Sequence, residues 1–502
     1  MELRHVLDHY LAPVTGPRTG PAGYAPWLVG LVGLTLARLV VAGFVPLAPD
    51  EAYYRLWALA PAAGYLDHPP MVALWMRLGL WLGGDTAFGL RLMGPISAFA
   101  GSCLLVQAGA CWQPGSARAG RGVGLRAAIM LNSTLALGLG TLIMTPDTPL
   151  VFFMTVLVWS LSRLCAGGAG WWWLVAGAAV GLGFDSKYTA LLPALGVGVW
   201  ACVNSHGRHW LRTPWPWCAA VVGMLCISPV IWWNATHHWA SFLKQGGRTA
   251  DWQPARMLTF LGELLGGQVG LASPLLFGLF AVGFVTLWRR RDVFSALLSW
   301  VILCPALVFV QHAFGARVQA NWPVVVYPAL ALAAAPIVSG WLKPAVACGV
   351  GLTVAILIQA VATPLRLAPH WDVTLRQLGG WSAFGQAVAS AAPEGLQLMA
   401  DEYGLAGELA FYAAPRSVVA VEPRWSLFAL PRPACGQEGY LIRSHKRQGG
   451  PDSTMFDVMP GPVVSLSRMR DGMVAETYGM FHVRLRCDGG TRVGNAAQLP
   501  VK

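Results

Sequence analysis

From Trp27 into the 360s the chain repeats one pattern: a stretch of about 20 apolar residues, a short polar break, then another apolar stretch. As a helix rising 1.5 Å per residue, such a stretch crosses the roughly 30 Å hydrocarbon core of a bilayer. Inside that core every backbone amide and carbonyl must be satisfied internally, so the pattern admits helices and excludes open sheets. Spans are expected near 27–46, 86–112, 125–144, 148–165, 171–186, 189–203, 216–234, 262–288, 293–312, 322–342 and 345–364, about eleven in all. Pro69 to Gly84 is apolar but short, and Pro69-Pro70 suits the start of a helix lying in the interface.

Composition agrees. Only 12% of the 502 residues are charged and 55% are hydrophobic, whereas a soluble domain averages about 25% charged. The net charge of +12 does not point to nucleic acid. Arginines sit in short clusters between apolar stretches, and no basic stripe with interleaved aromatics could follow a phosphate backbone. Residues 1–26 read as an interfacial lead-in, and the next segment as an uncleaved anchor. Eight of the ten cysteines lie in or beside the apolar stretches and read as small packing residues. No C-x-x-C pair supports a zinc ribbon or redox motif. Gly177-x-x-x-Gly181 reads as a close-packing motif between helices.

Alternating the loops across the membrane sorts the charges. With a cytoplasmic N-terminus, one side collects Arg118, Arg121, Arg126, Arg163, Arg208, Arg212, Arg289, Arg290, Arg291 and Lys343, as positive-inside bias requires. The other side collects Asp50, Glu51, Asp67, His68, Asp147, Lys187, His237, His238, Arg248 and Arg317. Beyond the spans, 365–502 regains charge, proline and short alternating runs. Strands are expected at Gln397 to Ala400, Ser417 to Val421, Tyr440 to Arg443 and Phe481 to Arg486, with a helix at Ala406 to Ala413. The expected organisation is therefore mostly α: a polytopic transmembrane helical bundle over 27–364, its first outer loop at 47–85, and a small periplasmic α/β domain over 365–502. Cys435 and Cys487 are either a disulfide of an oxidising compartment or two buried thiols.

Taken singly, a charged residue at a span end more often snorkels or marks the boundary than reacts. Collectively, carboxylates from two loops and cations from three others converge on one membrane face, which suits transfer of a group from a lipid phosphate. A carboxylate can take the proton of an attacking hydroxyl. Lysine and arginine can neutralise the charge building on a departing phosphate. An Asp-His pair near further carboxylates, here Asp67 and His68, can also hold a divalent metal, but the spacing specifies none.

Several short motifs fall in a recognisable order: Asp50-Glu51-Ala-Tyr-Tyr, Gly64-Tyr-Leu-Asp67-His68-Pro-Pro, Gly84-Asp85 with Arg91, Thr145-Pro-Asp147-Thr-Pro, Gly181-Leu-Gly-Phe-Asp-Ser-Lys187-Tyr-Thr, Gln268 with Ser273-Pro274, and Val318-Gln-Ala-Asn321-Trp322-Pro. In these the chain resembles the GT-C class of polyprenyl-phosphate-sugar-dependent glycosyltransferases. Within that class it resembles the branch of protein O-mannosyltransferases and lipid A aminoarabinose transferases. The resemblance runs through nearly all the apolar part and more faintly into the tail. It implies that Asp50 is the essential first-loop aspartate, with Glu51 and Asp67 beside it in the catalytic set. The implied substrate-binding set is His68, Asp147, Lys187, Arg248, Arg317 and Asn321. Asp67-His68 stands where aminoarabinose transferases carry Glu-Lys, a metal ligand and a phosphate-binding lysine, so both roles are altered here. Gly246-Gly247-Arg248 stands near the place of a later metal-binding histidine. The expectation that follows is a displaced cation, with Arg248 and Lys187 holding the phosphate while His68 supports Asp67.

The function expected is inverting transfer of a sugar from a polyprenyl-phosphate donor to a lipid A or lipopolysaccharide-type acceptor at a bacterial inner membrane. Transfer to a protein serine or threonine is the second reading. A lipid-linked-sugar flippase is a rival from another class, but its ionisable groups would sit at the bilayer midplane within paired repeats.

Overall fold

The computed structural model describes residues 25–112, 117–246, 252–338, 340–447, 449–487, 490 and 492–502. The helices used below are α1 (Ala25–Phe44), α2 (Pro49–Leu59), α3 (Met71–Gly83), α4 (Met93–Ala108), α5 (Ala117–Ser133), α6 (Asp147–Cys165), α7 (Trp172–Phe184), α8 (Leu191–Val203), α9 (Trp215–Thr236), α10 (Ala240–Gly246), α11 (Met257–Ala272), α12 (Pro274–Arg289), α13 (Val293–His312), α14 (Tyr327–Ala334) and α15 (Leu342–Ala362). After them come α16 (Trp381–Ala391), β1 (Gln397–Ala400), α17 (Tyr403–Tyr412), β2 (Val418–Val421), β3 (Glu438–Ser444), β4 (Phe456–Val458), β5 (Val464–Arg470), β6 (Met473–Leu485) and β7 (Ala496–Gln498).

Among the described residues six helices are long and apolar enough to cross a membrane, or up to eight if each of two bent pairs is one span. Three more apolar helices, among them α3 and α7, are shorter. Local chemistry explains where the expected spans break. The stretch expected at 125–144 stops at Ser133, because Thr134 turns out of the helix and its hydroxyl accepts from the Leu137 amide to cap a new one. The span expected at 262–288 is two helices bent by 107°. Pro274 has no amide hydrogen to give and pushes the preceding residue out of the helical region, and Ser273 sits at φ 75°.

The chain forms two compact units. The first contains residues 1–39, 67–72 and 94–354. Its core runs through α5, α6, α13 and α14, with Leu150, Leu161, Leu298, Leu332 and Ala334 fully buried. Helices α7 and α9 touch backbone to backbone: a Cβ on Gly177 would meet the Ala219 carbonyl, so only glycine allows the approach.

The second unit contains 40–66, 73–93 and 355–502. Its seven-stranded sheet has the order β4-β6-β3-β1-β2-β7, with β5 also paired to β6. Strand β1 runs parallel to both β2 and β3, and the other pairings are antiparallel. Helix α17 crosses from β1 to β2 and packs on α2. A Cβ on Gly407 would stand 2.8 Å from the Ala52 carbonyl carbon, so the two helices meet without side chains between them. Cys435 and Cys487 form a disulfide with Cα atoms 5.2 Å apart, which settles the two sequence alternatives.

Candidate functional site

The site-like residues fall into two sets, one in each unit. In the first unit, Asp147 opens α6 where Thr145 and Pro146 turn the chain, and the Thr148 hydroxyl donates to the Gly140 carbonyl at 2.7 Å. Lys187 follows the end of α7, and its amide donates to the Gly183 carbonyl at 2.8 Å. The Lys187 ammonium donates to both Asp147 oxygens, at 2.8 and 3.0 Å, and the Asn321 amide adds a third bond at 2.6 Å. Three motifs far apart in sequence thus meet on one carboxylate, and Lys187 is buried.

Asp67 lies in the loop before α3, and its neighbours come from α10. The Lys244 ammonium donates to its carboxylate at 2.5 Å, and the Gln245 amide donates to its carbonyl at 2.7 Å. The Met71 amide donates to the Asp185 carbonyl at 2.9 Å, tying the Pro69-Pro70 turn to the segment that carries Lys187. Burial, then the nearby Lys187 ammonium, hold the His68 imidazole down to about 4, although Asp67 and Asp147 pull the other way. His68 is therefore neutral near pH 7 and acts as a hydrogen-bonding group.

His68, Lys187 and Gln245 line a cavity of about 210 Å³, with His312 and Trp322 among the other walls. An ammonium and neutral polar groups against an apolar wall formed by Leu192, Val308 and Phe309 suit a ligand that is part phosphate and part hydrocarbon. Among the described residues no group of three or more His, Cys, Asp or Glu side chains gathers as a metal site. The Asp67 carboxylate is instead neutralised by the Lys244 ammonium, a donor set that suits an ion pair better than a divalent cation.

In the second unit, Asp50 and Glu51 lie in the first turn of α2 behind Pro49, where carboxylates complement the helix dipole. The two diverge sharply. Glu51, expected in the catalytic set, is fully buried, and its carboxylate takes two bonds from Arg91, at 2.7 and 2.5 Å, and one from the Ala48 amide at 3.1 Å. Arg91 places its remaining donors on the carbonyls of Ala42, Val45 and Pro46, so all five of its N–H groups are used. Arg55 and Asp85 form a second two-bond pair at 2.7 and 2.5 Å. The acid and base of the Gly84-Asp85…Arg91 motif therefore build the loop. Asp50 remains exposed, and the Tyr403 hydroxyl donates to it at 3.1 Å.

Of the other expected residues, Arg317 is 66% exposed at its side chain and pairs with Glu263 at 2.9 Å. Arg248 lies outside the described residues. Sequence reasoning missed Lys244, Tyr403 and Arg424. Lys244 stands in the same His237-to-Arg256 loop that had drawn attention to Arg248, but a lone lysine there carries no motif. For Tyr403 the sequence offers no signal, since its partner is 353 positions away.

Residues 67–233 match the family model described as dolichyl-phosphate-mannose-protein mannosyltransferase. Over 410 residues the chain is 26% identical to the lipid A galacturonosyltransferase RgtD of Rhizobium johnstonii, covering 76% of this chain and 80% of that protein. The fold is similar to that of ArnT from Cupriavidus metallidurans bound to undecaprenyl phosphate: TM-score 0.61 at 14% identity, over 92% of this chain and 98% of that one. The same protein in its apo state gives 0.58, also at 14% identity, over 91% and 98%.

Proposed function

We propose that this chain, a GT-C class glycosyltransferase of the branch that holds the protein O-mannosyltransferases and the lipid A aminoarabinose transferases, glycosylates an envelope lipid. The donor is a polyprenyl-phosphate sugar, and the acceptor is lipid A or a lipopolysaccharide-type glycan on the periplasmic face of a bacterial inner membrane. On this reading the N-terminus is cytoplasmic, the helical part over 27–364 spans the membrane about eleven times, and the sheet domain over 365–502 is periplasmic.

The reaction is a single inverting displacement. An acceptor hydroxyl oxygen attacks C1 of the sugar and its proton passes to the Asp50 carboxylate. The bond between C1 and the phosphate oxygen breaks, and polyprenyl phosphate leaves with the electron pair. Lys187, oriented by Asp147 and Asn321, offers its ammonium to the charge developing on that phosphate. Lys244, which pairs with Asp67, and Arg248, which follows it in the sequence, supply further cations, and His68 contributes a neutral hydrogen bond. Arg317 plays a more distant binding part. Asp67 orients that loop, and Glu51 acts by fixing the helix that presents Asp50.

The observation that carries this reading is the buried Lys187 ammonium beside a cavity walled by both polar and apolar side chains. A soluble sugar nucleotide would not need the apolar wall. The lipid A acceptor is favoured by the relative whose similarity extends over most of both chains. The mannosyltransferase family model favours the second reading, transfer to protein. Mass spectrometry of envelope fractions with and without the gene decides between them. Loss of a sugar mass from lipid A supports the first reading, and loss from a glycoprotein with unchanged lipid A overturns it.

A further inference from the structure

The geometry points to Tyr403 and Arg424 as positioning residues for Asp50, which makes the carboxyl edge of the parallel strands part of the Asp50 site. This rests on the reading of Asp50 as proton acceptor. Strand β1 lies between β3 and β2 and is parallel to both. The chain leaves β1 through α17 to reach β2, then returns past β1 to reach β3. Strand β1 is therefore where the direction of winding reverses. Open α/β sheets place ligands at the carboxyl ends of their strands at such a point.

Both residues stand at that edge. Strand β1 ends at Ala400 and Tyr403 opens α17, while β2 ends at Val421 and Arg424 follows in the next turn. The Tyr403 hydroxyl donates to Asp50 Oδ1 at 3.1 Å. The Arg424 guanidinium lies 4.2 Å from the centre of the Tyr403 ring, and the Tyr53 ring lies 4.7 Å from it. Glu422 holds the guanidinium in turn, at 2.9 Å.

Each contact has a consequence for Asp50. A cation over the phenol face draws electron density from the ring and makes its O–H a stronger donor. A stiff donor on Oδ1 fixes the plane of the carboxylate and with it the direction of Oδ2. A base held in one orientation need not be ordered afresh at each turnover. A purely structural tyrosine would use its ring, which packs on Tyr53, and would not need its hydroxyl.

The test uses the full-length protein, with polyprenyl-phosphate lipids and lipid A both extracted from a strain lacking the gene. Tyr403→Phe keeps the ring and is expected to lower kcat about tenfold, with KM for both lipids within about twofold of the parent. Arg424→Gln is expected to move kcat the same way, and Arg424→Lys to recover part of it. In an Asp50→Glu background, where the carboxylate has moved away from the phenol, Tyr403→Phe should cost nothing further. If Asp50→Ala is inactive while Tyr403→Phe turns over like the parent, or changes only KM, the positioning role is overturned and the reading of Asp50 stands. If Asp50→Ala turns over normally, the reading of Asp50 itself falls. Should Tyr403→Phe fold poorly, the two Arg424 variants, which keep the phenol, carry the same kcat test.

Discussion

Lys244 donates to the Asp67 carboxylate at 2.5 Å across 177 positions of sequence. Both side chains are partly exposed, at 29% and 20%, so the pair gains little as a stability element. Its effect is geometric, since it ties α10 to the loop that carries His68. Lys244→Met should raise the KM for the donor lipid about five- to tenfold with a smaller change in kcat. The exchange pair Asp67→Lys with Lys244→Asp should recover part of the loss, and steady-state kinetics at varied donor will read this out.

Asp50 and Glu51 are adjacent and should fail in opposite ways. Asp50→Asn removes an exposed carboxylate and is expected to abolish turnover, by at least about a hundredfold, with a loss of stability of no more than about 1 kcal/mol. Glu51→Gln leaves the buried Arg91 guanidinium without its countercharge, at a cost of about 3–5 kcal/mol. The protein should then melt markedly lower or fail to accumulate. Melting curves together with turnover separate the two.

His68 gives a pH test with a definite sign. Burial first, and Lys187 second, lower its imidazole to about 4, so the fold favours the neutral form. The stability tied to that preference is present above the ordinary value of about 6.5 and is lost as pH falls from there toward 4. His68→Gln, which cannot charge, should lose less melting temperature than the parent across that window. Above about pH 6.5 the two activity profiles should have the same shape.

Glu408 on α17 gives the opposite sign. Both its oxygens are buried without a hydrogen-bond partner. Burial, reinforced by Glu51, holds the carboxyl well above its usual range against the opposing pull of Arg468 and Arg91. The fold therefore prefers the protonated form, and stability falls as pH rises from about 4.5 toward the raised value. Glu408→Gln should match the parent near pH 5 and exceed it at pH 8, by about 1–3 kcal/mol, in thermal or denaturant unfolding.

What the sequence made legible follows from the range of the forces involved. Apolar length located most of the helices because the need to satisfy the backbone internally acts on each segment separately, whereas the breaks at Thr134 and Ser273 depend on local capping and proline. Alternation located β1, β2 and β3 to within a few residues, and of β6 only the end, because that strand already begins at Met473. Helix α16 and strands β4, β5 and β7 were not anticipated. Strands β4 and β7 are only three residues long, and β5 alternates weakly, with an irregular register at Arg468 and Met469. The meeting of Asp147, Lys187 and Asn321 was expected as a set of motifs, and the structure supplies the contacts. Glu51 read as reactive because a buried countercharge 40 positions away cannot be seen in a first-turn acid. Arg317 is exposed and pairs with Glu263, a contact that a lone arginine at a span end does not reveal in sequence.

The Arg91–Glu51 pair also constrains how this loop can diverge. Every donor of the guanidinium has a partner, and both side chains are fully buried. Losing either partner strands a charge away from water, so a single substitution at either position passes through a strongly destabilised intermediate. Relatives that take other sugars or acceptors are thus expected to vary His68, and Asp67 together with Lys244, more readily than the Arg91–Glu51 pair. They will either keep this arginine and glutamate together or replace both at once.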